Sequence, residues 1–385
     1  MERSAEIGLL QELLTLQQKG SAFLDERVAT NPVGNYYDPV RFEAECEQIL
    51  RKDSRPAAHS SELAEPGSFL RRDIAGLPVL LTRDSDGVAH AFLNVCRHRG
   101  NQLVSEQTGR KQRFTCPYHA WTFSNQGELV GVPHGEQGFP DLDRKCMGLK
   151  RLGCVERYGW IWISPSSEDA PDVDGLLAGL APDFEWFAAA DLRVVHTDEA
   201  IREANWKILI EGALESYHFM VAHKGTVAKL FNDNLSTYQR FGPHLRSAIS
   251  RQSLSELKDM PTDSWRLRDH AAILYTIFPA TQIVAVQDHI ETIQYEPLSA
   301  SSTRVRFQIL APKDRLLGED DLAHWANNQE MTWTTLDEDF SIGENIQAGL
   351  KTGANEHLTF GRFEGALAAF NQNVNSRLQG AGSPS

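Results

Sequence analysis

Cysteine is scarce in this chain, with five among 385 residues. That count excludes a disulfide-stapled scaffold and suits a reducing, cytoplasmic setting. No run of eighteen apolar residues occurs, so the sequence offers no membrane-spanning helix. The opening MERSAEIGLL is acidic with a short apolar stretch and does not read as a secretory signal. Basic residues are outnumbered, 38 against 52 acidic ones, for a net charge of −14. Such a chain lacks the cationic excess that phosphate backbones demand, which argues against a nucleic-acid partner. No internal repeat is found.

What is present suits a globular protein, with 41% hydrophobic and 23% charged residues. The length exceeds what one core usually serves, so two domains are expected. Residues 4–18 read as an amphipathic helix with Leu9, Leu10, Leu13, Leu14 and Leu16 on one broad face. Residues 36–52 also carry apolar and aromatic positions at helical spacing. Short apolar runs bounded by Gly, Asp or Asn then mark a small β domain over 55–165. The polar, Pro-rich SPSSEDAPDVDG at 164–175 reads as a boundary. Beyond it, 203–222 looks helical, 273–297 and 303–310 look like successive antiparallel strands, and 320–350 looks like a long helix. The expected fold class is α+β, a curved antiparallel sheet gripping a helix. The expected organisation is a helical segment (1–54) packing on the second domain, the β domain (55–165), that second domain (166–378) and a disordered tail (379–385).

The most informative stretch is CRHRGNQLVSEQTGRKQRFTCPYHAW. Cys96 and His98 are followed, after seventeen intervening residues, by Cys116 and His119. Two clusters of thiol and imidazole point to a metal. Zinc in a Cys₂His₂ site is one reading. Each half, however, pairs one Cys with one His. That suits a [2Fe–2S] centre with both Cys on one iron and both His on the other, the Rieske arrangement. Gly100 and Pro117 supply turn chemistry for the two loops. Cys46, Cys146 and Cys154 fall outside the pattern and read as buried thiols. Arg97, Arg99, Arg110, Lys111 and Arg113 crowd the segment, either as solvated loop charge or as a docking patch for an acidic partner.

C-R-H-R-G and C-P-Y-H-A-W resemble the Rieske domain of ring-hydroxylating oxygenase α subunits. The resemblance runs from about residue 35 to 365 and implies a second, mononuclear iron. Such an iron takes two His and one carboxylate on one face, leaving positions open. ESYHFMVAH matches the family's acid, Tyr-His, then His five residues on, so the resemblance offers His218 and His223 as ligands. Five residues on a regular helix leave side chains about 140° apart. An irregular helix is therefore expected at 218–223, with Gly225 as a stop. The family's third ligand precedes Gln-x-Gly-Leu by eight residues, as Asp339 precedes Gln347. Asp339 also interrupts an apolar stripe of Leu336, Ile342, Ile346 and Leu350, where a carboxylate needs a partner or a metal. Asp337 and Glu338 read as exposed charges. By resemblance Glu215 is a bridge, bonded to a mononuclear-iron His and to the Rieske ligand His119 of a neighbouring subunit. Many members carry Asp there. Glu211, one turn earlier, would repel it unless protonated or paired. Tyr217 reads equally as a donor behind the metal or as core.

The resemblance implies a terminal oxygenase component, homotrimeric, fed by a NAD(P)H-dependent reductase or ferredoxin. It would use O2 for mono- or dihydroxylation, or oxidative demethylation, of a small organic substrate, an aromatic compound first. The alternatives are a quaternary amine, which calls for an aromatic cage, an electron carrier with a non-catalytic second domain, and a zinc-stabilised binding module. Phe231, Leu235, Tyr275, Ile277, Phe278, Ile283 and Val286 are candidate pocket residues. An acidic substrate would draw on Arg240, Arg246 or Arg251.

Overall fold

Alternating short strands and turn residues build the middle of the chain, and long strands with one long helix build the rest. The computed structural model describes residues 1–315 and 318–380. It divides into one unit of Met1–Leu50 with the chain from Leu177 onward, and another of Arg51–Leu176.

The Arg51–Leu176 unit is an antiparallel sheet. Its strand order is Arg55–His59, Trp160–Ser164, Arg151–Arg157, Ala89–Leu93, Leu77–Arg83, Ser68–Ile74, Thr108–Arg110. A smaller sheet, Arg113–Thr115, Thr122–Ser124, Leu129–Gly131, completes it. Phe69, Phe92, Phe114, Trp121 and Phe123 form an apolar cluster that also buries Cys96 and Cys116. Gly127 has φ +84°, and a Cβ there would come within 2.3 Å of the Phe92 ring, so this tight turn needs glycine. The unit reaches past residue 165 because the polar segment is not a free linker. Gly153 N–H donates to the Ser167 carbonyl, and Arg157 pairs with Asp174.

In the other unit, seven antiparallel strands follow the order Leu192–Arg202, Ser302–Pro312, Ile290–Ser299, Thr281–Ala285, Ala271–Ile277, His244–Arg251, Phe231–Phe241. The last six are a meander, and the first closes the far edge. Helix Arg3–Lys19 buries Leu9, Leu10, Leu13 and Leu14, while Leu16 stays half-buried. Asp38 caps helix Pro39–Glu45, which has Pro39 in its first turn and runs on through a widened turn to Leu50. The long helix Glu319–Leu350 buries Leu336, Phe340, Gly343, Gln347 and Leu350. The expected stripe is thus displaced: Ile342 and Ile346 are 42% and 40% exposed. A Cβ on Gly343 would come within 3.1 Å of Leu209, so glycine lets this helix press on helix Trp206–Gly212. Gln379 and Gly380 belong to the helix Gly365–Gly380, and the rest of the expected tail lies outside the described residues. No helix is long and apolar enough to cross a membrane among the described residues.

The N-terminal segment is fastened by charge. Lys207 is fully buried and donates to both Glu45 oxygens, at 2.8 and 2.6 Å, while Trp206 Nε1 donates to Glu45 at 3.0 Å. Burial lowers the Lys207 ammonium and Glu45 opposes that. Removing one partner of a buried pair leaves the other charge uncompensated. Glu45→Ala is expected to cost ~3–5 kcal/mol, whereas Glu45→Met with Lys207→Met recovers most of it. Urea unfolding midpoints check both.

Candidate metal centres

The two Cys–His loops are near copies. In the first, Gly100 N–H donates to the Cys96 carbonyl (2.9 Å) and Cys96 N–H to the Asn101 carbonyl (2.8 Å). In the second, Ala120 N–H donates to the Cys116 carbonyl (3.0 Å) and Cys116 N–H to the Trp121 carbonyl (2.8 Å). The fifth residue of each loop is left-handed, Gly100 at φ 76° and Ala120 at φ 57°. This shared turn buries both thiols and brings the His98 and His119 rings to 4.6 Å. His98 stacks on Trp121, at 4.9 Å and 9° between planes. Burial raises the Cys96 thiol, and the adjacent Cys116 adds to that. His98 Nδ1 is buried without a hydrogen-bond partner. An orphaned imidazole nitrogen beside two buried thiols and a second imidazole is a donor set that fits a Cys₂His₂ [2Fe–2S] cluster.

Outside this set, Cys46 is buried, while Cys154 is half-buried and pushed up to about 12 by burial. Cys146 departs from the expectation, being exposed and donating to Asp143. It sits in a 3-10 turn capped by that same Asp, at a polar surface.

In the other unit the helical run breaks. Helix Trp206–Gly212 ends, residues 213–218 are irregular, and Phe219–Ala222 forms one turn. His218 and His223 flank that turn, so their side chains converge as the five-residue spacing demands. Their Nε2 atoms lie 3.1 Å apart, and both approach Asp339 Oδ1, at 3.3 and 3.0 Å. The opposite ring nitrogens meet carboxylates: His218 Nδ1 donates to Glu215, and His223 Nδ1 to Glu338 at 2.8 Å. Thr226 donates to the same Glu338 oxygen at 2.7 Å.

A carboxylate only accepts, so each Nδ1 carries the hydrogen and each Nε2 is left as an acceptor. Two acceptors facing an acceptor oxygen repel unless a proton or a metal cation sits among them. Burial opposes charging His218, yet Asp339 and Glu215 outweigh it and push its imidazole up to about 10. Burial likewise raises the Asp339 carboxyl, and the two His outweigh it and hold it low. The three side chains thus form a set that could hold one small cation.

Glu338 was expected as an exposed charge. Instead its side chain is 29% exposed and supports His223. Its place beside Asp339, with Thr three residues after His223, was the only signal. Asp337 is a surface charge paired with Arg202. Tyr217 is neither donor nor core: its ring is 56% exposed against Phe363. Glu211 is paired, accepting from Tyr36 hydroxyl (2.8 Å) and Asn371 Nδ2 (2.7 Å).

Two cavities border the cluster. One, of about 170 Å³, runs between the sheet and the long helix from His223 and Asp339 to Arg251. Phe231 and Val286 line it as expected. Leu235, Tyr275, Ile277, Phe278 and Ile283 do not line it and are buried elsewhere. Strands alternate, so Ala272 and Leu274 face the cavity while Tyr275 faces away, donating to Asp183. The other cavity, of about 330 Å³, is lined by Glu215, His218, Asp339, Ile342, Ile346 and Glu364 among others.

The profile of the ring hydroxylating alpha subunit (catalytic domain) matches residues 189–380, and that of the Rieske [2Fe-2S] domain matches 54–151. The carnitine monooxygenase oxygenase subunit of Acinetobacter baumannii is 30% identical over 330 residues, 84% of this chain and 85% of that protein. The glycine betaine monooxygenase oxygenase subunit of Pseudomonas aeruginosa is 30% identical over 357 residues, 83% and 82% of the two. The quaternary ammonium Rieske monooxygenase CntA, solved with L-carnitine, aligns with TM-score 0.76 at 26% identity, covering 91% of this chain and 96% of that one. Naphthalene 1,2-dioxygenase from Rhodococcus sp. shares the fold, with TM-score 0.76 at 20% identity over 98% and 99% of the two chains.

The chain belongs to the Rieske non-haem iron oxygenases, as an oxygenase (α) subunit. It is an oxidoreductase with a Rieske [2Fe–2S] domain and a mononuclear-iron catalytic domain, the terminal component of a multicomponent system. The zinc-module and electron-carrier readings give way to that membership.

Burial, the largest effect, raises the Glu211 carboxyl from 4.5 to about 7, against its Asn371 and Tyr36 donors. A carboxyl raised on folding favours the fold most below its ordinary value, and that contribution is lost as pH rises through the folded one. Wild-type melting temperature is therefore expected to fall relative to Glu211→Gln between about pH 4.5 and about pH 7. Calorimetric scans of both proteins across that window check it.

Proposed function

We propose that this oxygenase acts on a small quaternary ammonium compound, and not first on an aromatic ring. The observation that carries the reading is kinship over more than four-fifths of the chain with oxygenase subunits named for carnitine and glycine betaine. The cavity is compatible. It is small for an organic ligand, at about 170 Å³. Its aromatic walls are Phe219 and Phe231 alone among the described residues, less than the cage expected for a quaternary amine. Among the described lining residues Glu291 is the carboxylate not assigned to the metal, and it supplies a charge complement for a cation.

In this proposal Cys96, Cys116, His98 and His119 hold the [2Fe–2S] cluster, and His218, His223 and Asp339 hold the mononuclear iron. When bound, the cluster passes single electrons and the iron activates O2 beside the substrate. The chain's own residues hold geometry. Glu215 and Glu338 fix each Nδ1 proton, so each Nε2 stays free for the metal. One oxygen atom enters a C–H bond on a carbon attached to nitrogen. The other leaves as water, consuming two electrons and two protons. The hydroxylated carbon then separates as an aldehyde, leaving the smaller amine.

Electrons reach this site from a second copy. His119 is half-exposed beside the exposed Tyr118, and Glu215 lies at a cavity flanked by the exposed Ile342 and Ile346. A homotrimer in which Glu215 of one chain meets His119 of the next satisfies both surfaces, with a reductase or ferredoxin as donor.

Purified protein is expected to hold more iron than acid-labile sulfide and to give a Rieske-type EPR signal. With a reductase, quaternary amines should drive O2 uptake and aldehyde release. Turnover of aromatic hydrocarbons or acids with none of quaternary amines would sink the proposal. Glu215→Ala is expected to keep both metals and lower turnover ~10–100-fold. Stopped-flow reoxidation of the cluster, with metal analysis alongside, reads that loss.

A further inference from the structure

The substrate cavity has a positively charged end that the metal chemistry does not use. Of the three arginines open to an acidic substrate, two are committed. Arg246 donates to Asp183 at 2.6 Å and also to Gln239, and Arg240 is exposed, donating to Gln372 at 3.1 Å and Asn373 at 3.4 Å. Arg251 is neither. It is the only Arg or Lys among the described lining residues. Its guanidinium makes no ion pair or hydrogen bond with any described residue, and its Nε is buried without a partner. The group lies 5.7 Å over the Phe231 ring.

The register places this end. Leu274, Val284 and Glu291 share one row across the sheet, and Ile249 and Ala272 belong to the next row outward, with Val286 bonding His289 there. Arg251 ends its strand two residues beyond Ile249. On the long helix, Thr332 donates to Glu291 (2.7 Å) and Trp325 packs against His289 (5.6 Å), so the helix runs inward from the His289 row. Asp339 then lies about two turns, roughly 10 Å, further in. Arg251 and the metal-side cluster are opposite ends of one cavity.

Glu291, Asp288 and Asp269 act on its charge from a distance without bonding to it, so the hydrogen-bonding fork of this half-desolvated guanidinium stays open to an anion. Its fork matches a carboxylate. We infer that Arg251 binds a carboxylate on the substrate, so that the oxygenase takes a zwitterion, with its anionic end at Arg251 and its methylated ammonium toward His223 and Asp339. This rests on the quaternary-ammonium reading for the cation alone; the carboxylate is read from Arg251.

Calorimetric titration of the metal-loaded full chain tests it with three probes. These are γ-butyrobetaine, the carboxylate-free butyltrimethylammonium, and the tert-butyl carboxylate of equal length, which lacks the ammonium. Wild type should bind γ-butyrobetaine at least about tenfold tighter than butyltrimethylammonium. Arg251→Gln should erase that ratio without weakening butyltrimethylammonium, and Arg251→Lys should restore part of it. Equal affinity of wild type for these two probes overturns the inference, even if no variant folds. So does an unchanged ratio in Arg251→Gln. Should the tert-butyl carboxylate bind as tightly as γ-butyrobetaine, and both weaken together in Arg251→Gln, Arg251 keeps its role. The zwitterion and the quaternary-ammonium reading would then both fall.

Discussion

Three acceptor atoms held within about 3.3 Å of one another govern the catalytic unit. With both imidazoles neutral and nothing between them, the Nε2 lone pairs of His218 and His223 and the Asp339 carboxylate would push apart. The fold holds them at a spacing that either a proton or a metal cation makes favourable. Much of the unit reads as the means of doing so. Glu215 and Glu338 pin the two imidazoles from behind, and Thr226 pins Glu338 in turn. Gly343 removes a side chain one turn past Asp339, letting its helix lie against Leu209 and Ile208. The buried Lys207–Glu45 pair and the Glu211–Tyr36–Asn371 cluster tie that second helix to both terminal segments. The cluster is as well placed as these remote contacts are strong.

The same economy governs the two Cys–His loops. Each turn uses its backbone to aim a thiol inward, and the left-handed residue closing it does not have to be glycine. Ala120 occupies that conformation at φ 57°, which costs strain that Gly100 avoids in the other loop. The loops differ most in exposure. His98 is stacked on Trp121 with a buried Nδ1, whereas His119 lies beside the exposed Tyr118. A cluster held there would have a closed side and an open one.

The grouping of these side chains was legible in the sequence because their spacing is local. Cys-x-His and Cys-x-x-His sit on single turns, and the five-residue step from His218 to His223 already required a broken helix. Asp339, which does approach both histidines, was singled out through a stripe whose details were wrong. Ile342 and Ile346 point outward beside a cavity, and the buried row runs through Phe340 and Gly343 instead. What could not be read depends on which face of an element is turned inward. Strand periodicity offers two faces, and nothing local says that Leu274 and not Tyr275 meets the cavity. Nor does a charge say whether it will be solvated, as Asp337 is, or aimed at a histidine, as Glu338 is. The role of Arg251 emerges only once Arg246 has been seen to be spent on Asp183.

The division of the chain also sets an order of assembly. Arg51–Leu176 is one continuous stretch, whereas the catalytic unit is split around it. During synthesis the β unit is complete while Tyr36 and Asn31 still wait for their partners. Asn31 meets Asn371 across 340 positions, and Asn371 in turn donates to Glu211 just before the metal-side histidines. Contacts of such sequence separation form late, since a long loop must close first. The two Cys–His loops can therefore be in place while the chain is still growing, but the His218–His223–Asp339 site is finished only once nearly the whole chain has emerged.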